Sequence, residues 1–154
     1  MAIYFFDSSA VVKRYIIETG TSWVAGIVDP SANNRIYIAR ITAVEVVSAI
    51  TRRVRNGSIS ISDGSTAITK FRRDLINIYS SVDIALPIIT DAMRLAETHA
   101  LRGYDAVQLA AAMYVNTPWL NLGMPALTLV SADVDLNTAA MTEGLTVEDP
   151  NLHP

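Results

Sequence analysis

Four acids in this chain stand in settings where a carboxylate is costly to keep: Asp7, Glu45, Asp105 and Asp133. Asp7 ends the stretch "IYFFDSSA", in which four residues suited to a buried strand run straight into a negative charge and two hydroxyls. Glu45 lies within "AVEVV", with small Ser48 and Ala49 one helical turn further on. Asp105 opens "YDAVQLAAAMY" and looks along that segment to Gln108 and Ala112, while Asp133 follows the apolar run "ALTLV". A carboxylate buried without a partner is unstable as an anion and tends to hold its proton. No basic residue is an obvious partner for all four, whereas one divalent cation would satisfy them together. Carboxylate and water ligands favour hard ions, so the expected metal is Mg²⁺ or Mn²⁺. Zinc lacks its usual donors, since the chain has no cysteine and only His99 and His153. His99 is expected to be structural or solvated. Each aspartate also has a simpler explanation, because aspartate before a helix is a good N-cap and suits the helix dipole. Asp63 and Asp91 are expected to be ordinary cases of that kind.

The surrounding pattern alternates short apolar strands with amphipathic helices. "AVVKRYII" and "TSWVAGIV" read as helices after the first strand, and "RIYIARI" as the second strand. From Thr42 a helix puts Ala43, Val46, Val47, Ile50 and Val54 on one face and stops at Asn56-Gly57. Another begins near Ser62-Asp63, with Ala67, Ile68, Phe71, Leu75 and Ile78 at helical spacing. "VDIALP" is expected to be a brief strand, with a helix opening at Thr90 and Asp91. The stripe Ala92, Leu95, Ala96 and Ala100 would be that helix's buried face. Gly103 then breaks the chain before the helix carrying Asp105. "ALTLV" reads as a strand, followed by a helix from near Asp133 to Gly144 and an edge strand "LTVE". Such alternation predicts an α/β fold, a parallel sheet covered by helices on both faces. In these sheets ligands gather outside the carboxyl ends of the strands, where three of the four acids would lie.

With 154 residues the chain suits one domain, taken as residues 1–150 with 151–154 as a C-terminal tail. Half the residues are hydrophobic, so surplus apolar surface is expected to serve self-association or a partner. The longest apolar run, Leu109 to Val115, is too short to span a bilayer, and no signal peptide is legible. A cytoplasmic protein without membrane association is expected. The net charge of −3 argues against simple electrostatic binding of nucleic acid. Setting four of the fifteen acids aside in a metal pocket leaves the rest close to neutral against twelve bases. Lys13, Arg14, Arg52, Arg53, Arg55, Arg72 and Arg73 read mostly as solvated helix faces, with some free to contact phosphate. No glycine-rich phosphate loop follows the first strand, and no G-x-S-x-G elbow is present.

On the segments "YFFDSSAVVKRYIIETG", "ITAVEVVSAITRRVRNGSIS", "LRGYDAVQLAAA" and "LVSADVDLNTAAMTEGL", the chain resembles PIN-domain proteins, specifically VapC-type toxins of toxin–antitoxin pairs. The resemblance covers nearly the whole chain, and each segment holds its acid in order. It implies a three-layer α/β/α fold around a parallel five-stranded sheet. It also implies Mg²⁺- or Mn²⁺-dependent endoribonuclease activity on cellular RNA, inhibition by a small cognate antitoxin of the VapB type, and a homodimer. The family's acidic cluster maps onto Asp7, Glu45, Asp105 and Asp133, with Ser8 and Ser131 at positions that commonly carry hydroxyls. Asp135 is a further acid near the fourth position, and Gln108 stands where histidine is frequent.

The expected chemistry is metal-assisted phosphodiester hydrolysis, with the four acids as both metal ligands and catalytic groups. Two alternatives remain open. HAD-like phosphohydrolases also begin with a strand ending in aspartate and would use Asp7 as nucleophile, although Ser9 occupies the position of their usual second aspartate. A PIN-like fold could also serve as a non-catalytic binding module. RNA specificity would lie in loop shape and scattered bases, with "NTPWLNLGMP" a candidate contact in which Trp119 could equally be packing.

Overall fold

A computed structural model describes all residues, 1–154. Five strands, β1 (Ile3–Phe6), β2 (Arg35–Ala39), β3 (Tyr79–Val82), β4 (Thr128–Val130) and β5 (Thr146–Glu148), form one sheet in the order β3-β2-β1-β4-β5. Every neighbouring pair is parallel. Seven α-helices cover it: α1 (Ser8–Val12), α2 (Thr21–Val28), α3 (Thr42–Arg55), α4 (Ile61–Asn77), α5 (Leu86–His99), α6 (Gly103–Asn121) and α7 (Val134–Thr142).

The period-two alternation of the strands divides the core into two. Ile3, Phe5, Ala39 and Leu129 point to the face packed by α5, α6 and α7. Phe6, Ile36, Ile38 and Val130 point to the face packed by α1 to α4. Phe5 and Phe6 are fully buried on opposite faces of one strand, and each contributes on the order of 1.5–3 kcal/mol by leaving water. The sheet is therefore the middle layer of three, as the alternation of strands and helices predicts.

Several local expectations change. The strand before α5 is "YSSV" at Tyr79–Val82, not "VDIALP". It is an edge strand whose half-buried Ser80 and Ser81 carry no apolar signal, and only pairing with β2 defines it. Helix α5 begins at Leu86, with Pro87 in its first turn where no N–H is needed. Asp91 lies inside it and binds Arg94 at 2.8 Å instead of capping it. Ala100 ends that helix in the left-handed region, exposed, so it is not part of the buried stripe. Ser60, not Asp63, caps α4, accepting a hydrogen bond from the Asp63 amide at 3.0 Å.

Helix α1 stops at Val12, short of the expected Ile17, and the two basic residues after it turn inward. Lys13 is 4 % exposed and donates to Glu18 Oε1, the Thr19 carbonyl and Asn151 Oδ1. Arg14 binds buried Asp74, which also accepts from the Tyr15 hydroxyl. Neither residue is a solvated phosphate contact. The last residues close over α2, where His153 stacks on Trp23 at 4.1 Å. Pro150 lies so near Gly20 that a Cβ there would meet its carbonyl oxygen at 2.3 Å. Gly20 also has φ of 87°, which disfavours any side chain.

Candidate metal centre

In a parallel sheet the strand ends share one rim, and a helix that leads into the next strand starts at that same rim. Asp7 follows β1 directly, Glu45 lies in the first turn of α3 after β2, and Asp133 precedes α7 after β4. Asp105 lies in the first turn of α6, which runs back to the start of β4. All four line one cavity of about 270 Å³, together with Ser8, Ser9, Arg102 and Tyr104. Asp135, in the first turn of α7, is exposed and does not line it.

Capping and site geometry coexist, because a carboxylate has two oxygens. Asp7 Oδ1 accepts from the Ala10 amide at 3.2 Å and from Ser9 Oγ at 2.6 Å, while Oδ2 accepts from Ser131 Oγ at 3.1 Å. Asp133 Oδ1 accepts from the Leu136 amide at 2.9 Å, leaving Oδ2 for the cavity side. Glu45 is held by neutral donors, Gln108 Nε2 at 2.9 Å and Ser8 Oγ at 3.1 Å. Gln108 is almost fully buried and is itself fixed by Thr42 Oγ1 at 2.8 Å, so it sets the Glu45 rotamer. Asp105 and Asp133 share Arg102, whose Nε lies 3.0 Å from Asp105 Oδ2 and whose Nη2 lies 2.6 Å from Asp133 Oδ2.

The electrostatics follow from burial. Asp7 is 4 % exposed and its carboxyl is pushed up from 3.8 to about 6. Burial is the main cause. The Ser9, Ala10 and Ser131 hydrogen bonds oppose it, and the nearby Glu45 charge adds to it. Burial also raises Glu45, against its bonds from Gln108 and Ser8 and with help from the Asp105 charge. Asp105 is raised too, by burial first, with the Arg102 hydrogen bond pulling the other way and Asp133 and Asp135 adding repulsion. Each of these three carboxyls holds its proton more tightly than in water, through burial first and neighbouring charge second.

The donor set fits a hard divalent ion: four carboxylates and serine hydroxyls, with no nitrogen or sulfur ligand nearby. His99 is bound to Glu143 at 2.8 Å and His153 to Glu148 at 3.0 Å, both away from the cavity. Asp7 is buried with only hydroxyl and amide partners, so no basic side chain in hydrogen-bond contact offsets its charge. The acids share the hollow without yet chelating. No three of them close on one point, since two are tied to Arg102 and two to neutral donors.

Three cavity residues were not expected as site residues. Arg102 is visible three positions before Asp105 in "LRGYD", a spacing that places both on one helical face. Tyr104 carries no such signal. Ser9 turns out to bridge the site, donating to Asp7 and accepting from the Ala132 amide at 2.8 Å. Trp119 does not join them. It lies fourteen residues along α6 from Asp105, roughly 21 Å away at helical rise. There it packs on the core beneath the Arg35 guanidinium. The "NTPW" segment continues α6 through Pro118 instead of forming a loop.

No protein-family model matches the chain. Two curated proteins do: Ribonuclease VapC45 and Ribonuclease VapC49 of Mycobacterium tuberculosis. Each is 31 % identical over 157 residues, covering 100 % of this chain and 100 % of the relative. Among solved structures, FitAcB from Neisseria gonorrhoeae aligns with TM-score 0.66 at 13 % identity, over 96 % of this chain and 97 % of that one. VapBC2 from Rickettsia felis, bound to a DNA fragment from its promoter, aligns with TM-score 0.63 at 15 % identity, over 96 % and 98 %. The structural likenesses carry the fold, and the full-length sequence relatives carry the family, which removes the HAD-like alternative. The chain belongs to the VapC-like family of PIN-domain toxin–antitoxin proteins.

Proposed function

We propose that this protein is a Mg²⁺- or Mn²⁺-dependent endoribonuclease acting as the toxin of a toxin–antitoxin pair. The observation that carries this reading is the gathering of Asp7, Glu45, Asp105 and Asp133 around one hollow at the carboxyl rim of the sheet. Asp7, Glu45 and Asp105 would hold the cation directly or through water, and Asp133 would complete the set. A bound cation there supplies screening of the scissile phosphate and a more acidic water. The chain's own part is positional and electrostatic. Gln108 and Ser8 fix Glu45, and Ser9 and Ser131 fix Asp7, so ligand rotamers are set before anything binds. A carboxylate made more basic by burial accepts the proton of the attacking water. The water oxygen would bond to phosphorus as the bond to the leaving ribose oxygen breaks, and that oxygen would take a proton from solvent, leaving one phosphate end and one hydroxyl end. The test is cleavage of an end-labelled single-stranded RNA with Mg²⁺ or Mn²⁺ and then with excess chelator. Cleavage is expected only with the metal, and undiminished cleavage in chelator overturns the mechanism.

Local charge supports RNA as substrate despite the acidic whole. A cavity of about 540 Å³ shares Ser8, Ser9, Glu45 and Tyr104 with the acid hollow and adds Arg52 and Arg53. It continues through Arg52, Val44 and Ser48 into a groove of about 660 Å³ between α3 and α4, lined by Arg52, Arg55 and Arg72. None of those three arginines takes part in an ion pair of this protein. Free guanidiniums beside an acid site suit a polyanion whose scissile phosphate must reach a cation. The double variant Arg52→Ala/Arg55→Ala is expected to bind single-stranded RNA less tightly. Its log–log salt slope should be shallower by about 1.4, at roughly 0.7 per lost phosphate contact. Filter binding across a salt series measures this, and an unchanged slope removes both residues from the RNA path.

The partners that this reading implies are a small VapB-type antitoxin and a second copy of the chain. Solved relatives of the same fold include VapBC2 from Rickettsia felis and a toxin–antitoxin complex from Klebsiella pneumoniae. Exposed Leu86, Met93, Tyr114 and Leu122 leave apolar surface on α5 and at α6 for such contacts. No helix is long and apolar enough to cross a membrane, and the proposed site of action is the cytoplasm, where RNA is found. Co-expression with the antitoxin should suppress cleavage. Intact toxicity in Asp7→Asn would instead favour a non-catalytic binding module.

A further inference from the structure

We infer that Arg102 is a built-in counter-ion of the acid hollow, and that a divalent cation competes with its guanidinium for Asp105 and Asp133. This deepens the metal-centre reading and rests on it.

The arginine occupies the residue just before α6, where its side chain makes no capping bond, so helix formation does not require it. Its guanidinium spans two carboxylates from separate elements, Asp105 at 3.0 Å and Asp133 at 2.6 Å. Both oxygens it binds belong to acids of the shared cavity. The side chain is 77 % exposed, whereas its partners are 15 % and 22 % exposed. A long, solvated arginine holding two half-sheltered acids is a weak restraint, because screening by water keeps such pairs shallow. A divalent ion in the same place carries twice the charge and binds closer than a guanidinium can.

The two states compete for the same oxygens. Asp133 Oδ1 is held by the Leu136 amide, so Oδ2 is the oxygen left for a cation, and that oxygen faces the guanidinium; a cation taking Asp105 Oδ2 meets the same competitor. Asp7 and Glu45 need no such release, since their partners are neutral and can stay in place around a bound cation. Arg102 is thus a positioning residue that sets the cation concentration at which the site fills.

The test compares wild type, Arg102→Gln and Arg102→Lys as purified full chains. Mn²⁺ and Mg²⁺ affinities are measured by calorimetry, and thermal unfolding is followed with and without each ion. Arg102→Gln keeps an amide donor on a shorter side chain but loses the charge and the fork. It is expected to bind Mn²⁺ roughly five- to tenfold more tightly, the factor for losing two competing exposed pairs. Its melting temperature should be lower than wild type without metal and rise further when metal is added. Arg102→Lys, a charge without the fork, should fall between the two. Equal or weaker binding by Arg102→Gln than by wild type overturns the competition. Failure of all three folded proteins to bind either ion overturns the metal-centre reading itself, and the competition with it.

Discussion

Asp7→Asn is expected to lower RNA cleavage by about three orders of magnitude, the scale of several kcal/mol of lost transition-state stabilisation. The same change should make the metal-free protein more stable at neutral pH. Asp7 is buried and its carboxyl titrates near 6 instead of 3.8. The folded state therefore keeps a proton between those values that the unfolded chain has already released. The stability linked to this proton is fully present below about pH 4 and is lost as pH rises through about 6. Two pKa units correspond to about 3 kcal/mol, or roughly 5–10 °C in melting temperature for a chain of this size. Asparagine carries no charge at any pH, keeps an oxygen for the Ala10 amide, and should flatten that part of the profile. Glu45 and Asp105 are raised in the same direction, so a shallower decline remains in the variant. Melting curves from pH 4 to 8 without metal, set beside cleavage assays with Mg²⁺, measure both effects. A variant that keeps its activity, or melts below wild type at pH 7, contradicts this account of Asp7.

The second large effect lies away from the cavity, at the buried charge that joins the turn after α1 to α4. Asp74 is 2 % exposed, and its Oδ2 accepts from Arg14 Nε and from the Tyr15 hydroxyl, each at 3.0 Å. The Tyr15 hydroxyl also lies 3.0 Å from that of Tyr79, at the start of β3. Burial is the main reason both tyrosines hold their protons well above the usual range, Tyr79 up to about 12 and Tyr15 higher still. Asp74→Ala would strand the Arg14 charge in a site where only 13 % of its side chain meets water. Breaking a buried pair in this way costs roughly 3–5 kcal/mol, or on the order of 10 °C in melting temperature. Asp74→Asn, which keeps an acceptor for Tyr15, should recover part of the loss. Because α1 follows directly from Asp7 and carries Ser8 and Ser9, the alanine variant should also lose activity at temperatures where it remains folded. Thermal denaturation monitored by circular dichroism gives the first number, and cleavage well below the transition gives the second.

Much of the architecture was legible because the strong signals are local. Helix α2 falls on the expected "TSWVAGIV", and α3 runs from Thr42 to Arg55 and stops at Asn56, as its apolar spacing and Asn-Gly signal require. The continuously apolar β1 announced a strand buried on both faces, and Asp7 at its end announced a place where charge must be accommodated. Weaker elements gained their form from neighbours. "YSSV" is a strand because β2 offers it a hydrogen-bonding edge, and nothing in its composition says so. Lys13 and Arg14 look like solvated bases, yet the Thr19 carbonyl, the distant Asn151 amide and the buried, distant Asp74 draw them inward.

The acid hollow divides along the same line. By itself the sequence singled out Asp7, Glu45, Asp105 and Asp133, from residue type and apolar surroundings, and the fold brings all four to the lining of one hollow. Tertiary structure decided which distant residues join the local partners in holding them. Ser131 reaches Asp7 across 124 positions, Gln108 reaches Glu45 across 63, and Arg102 reaches Asp133 across 31. Hydrogen bonds and ion pairs act over a few ångströms, and only the folding of the sheet brings such distant positions within that range.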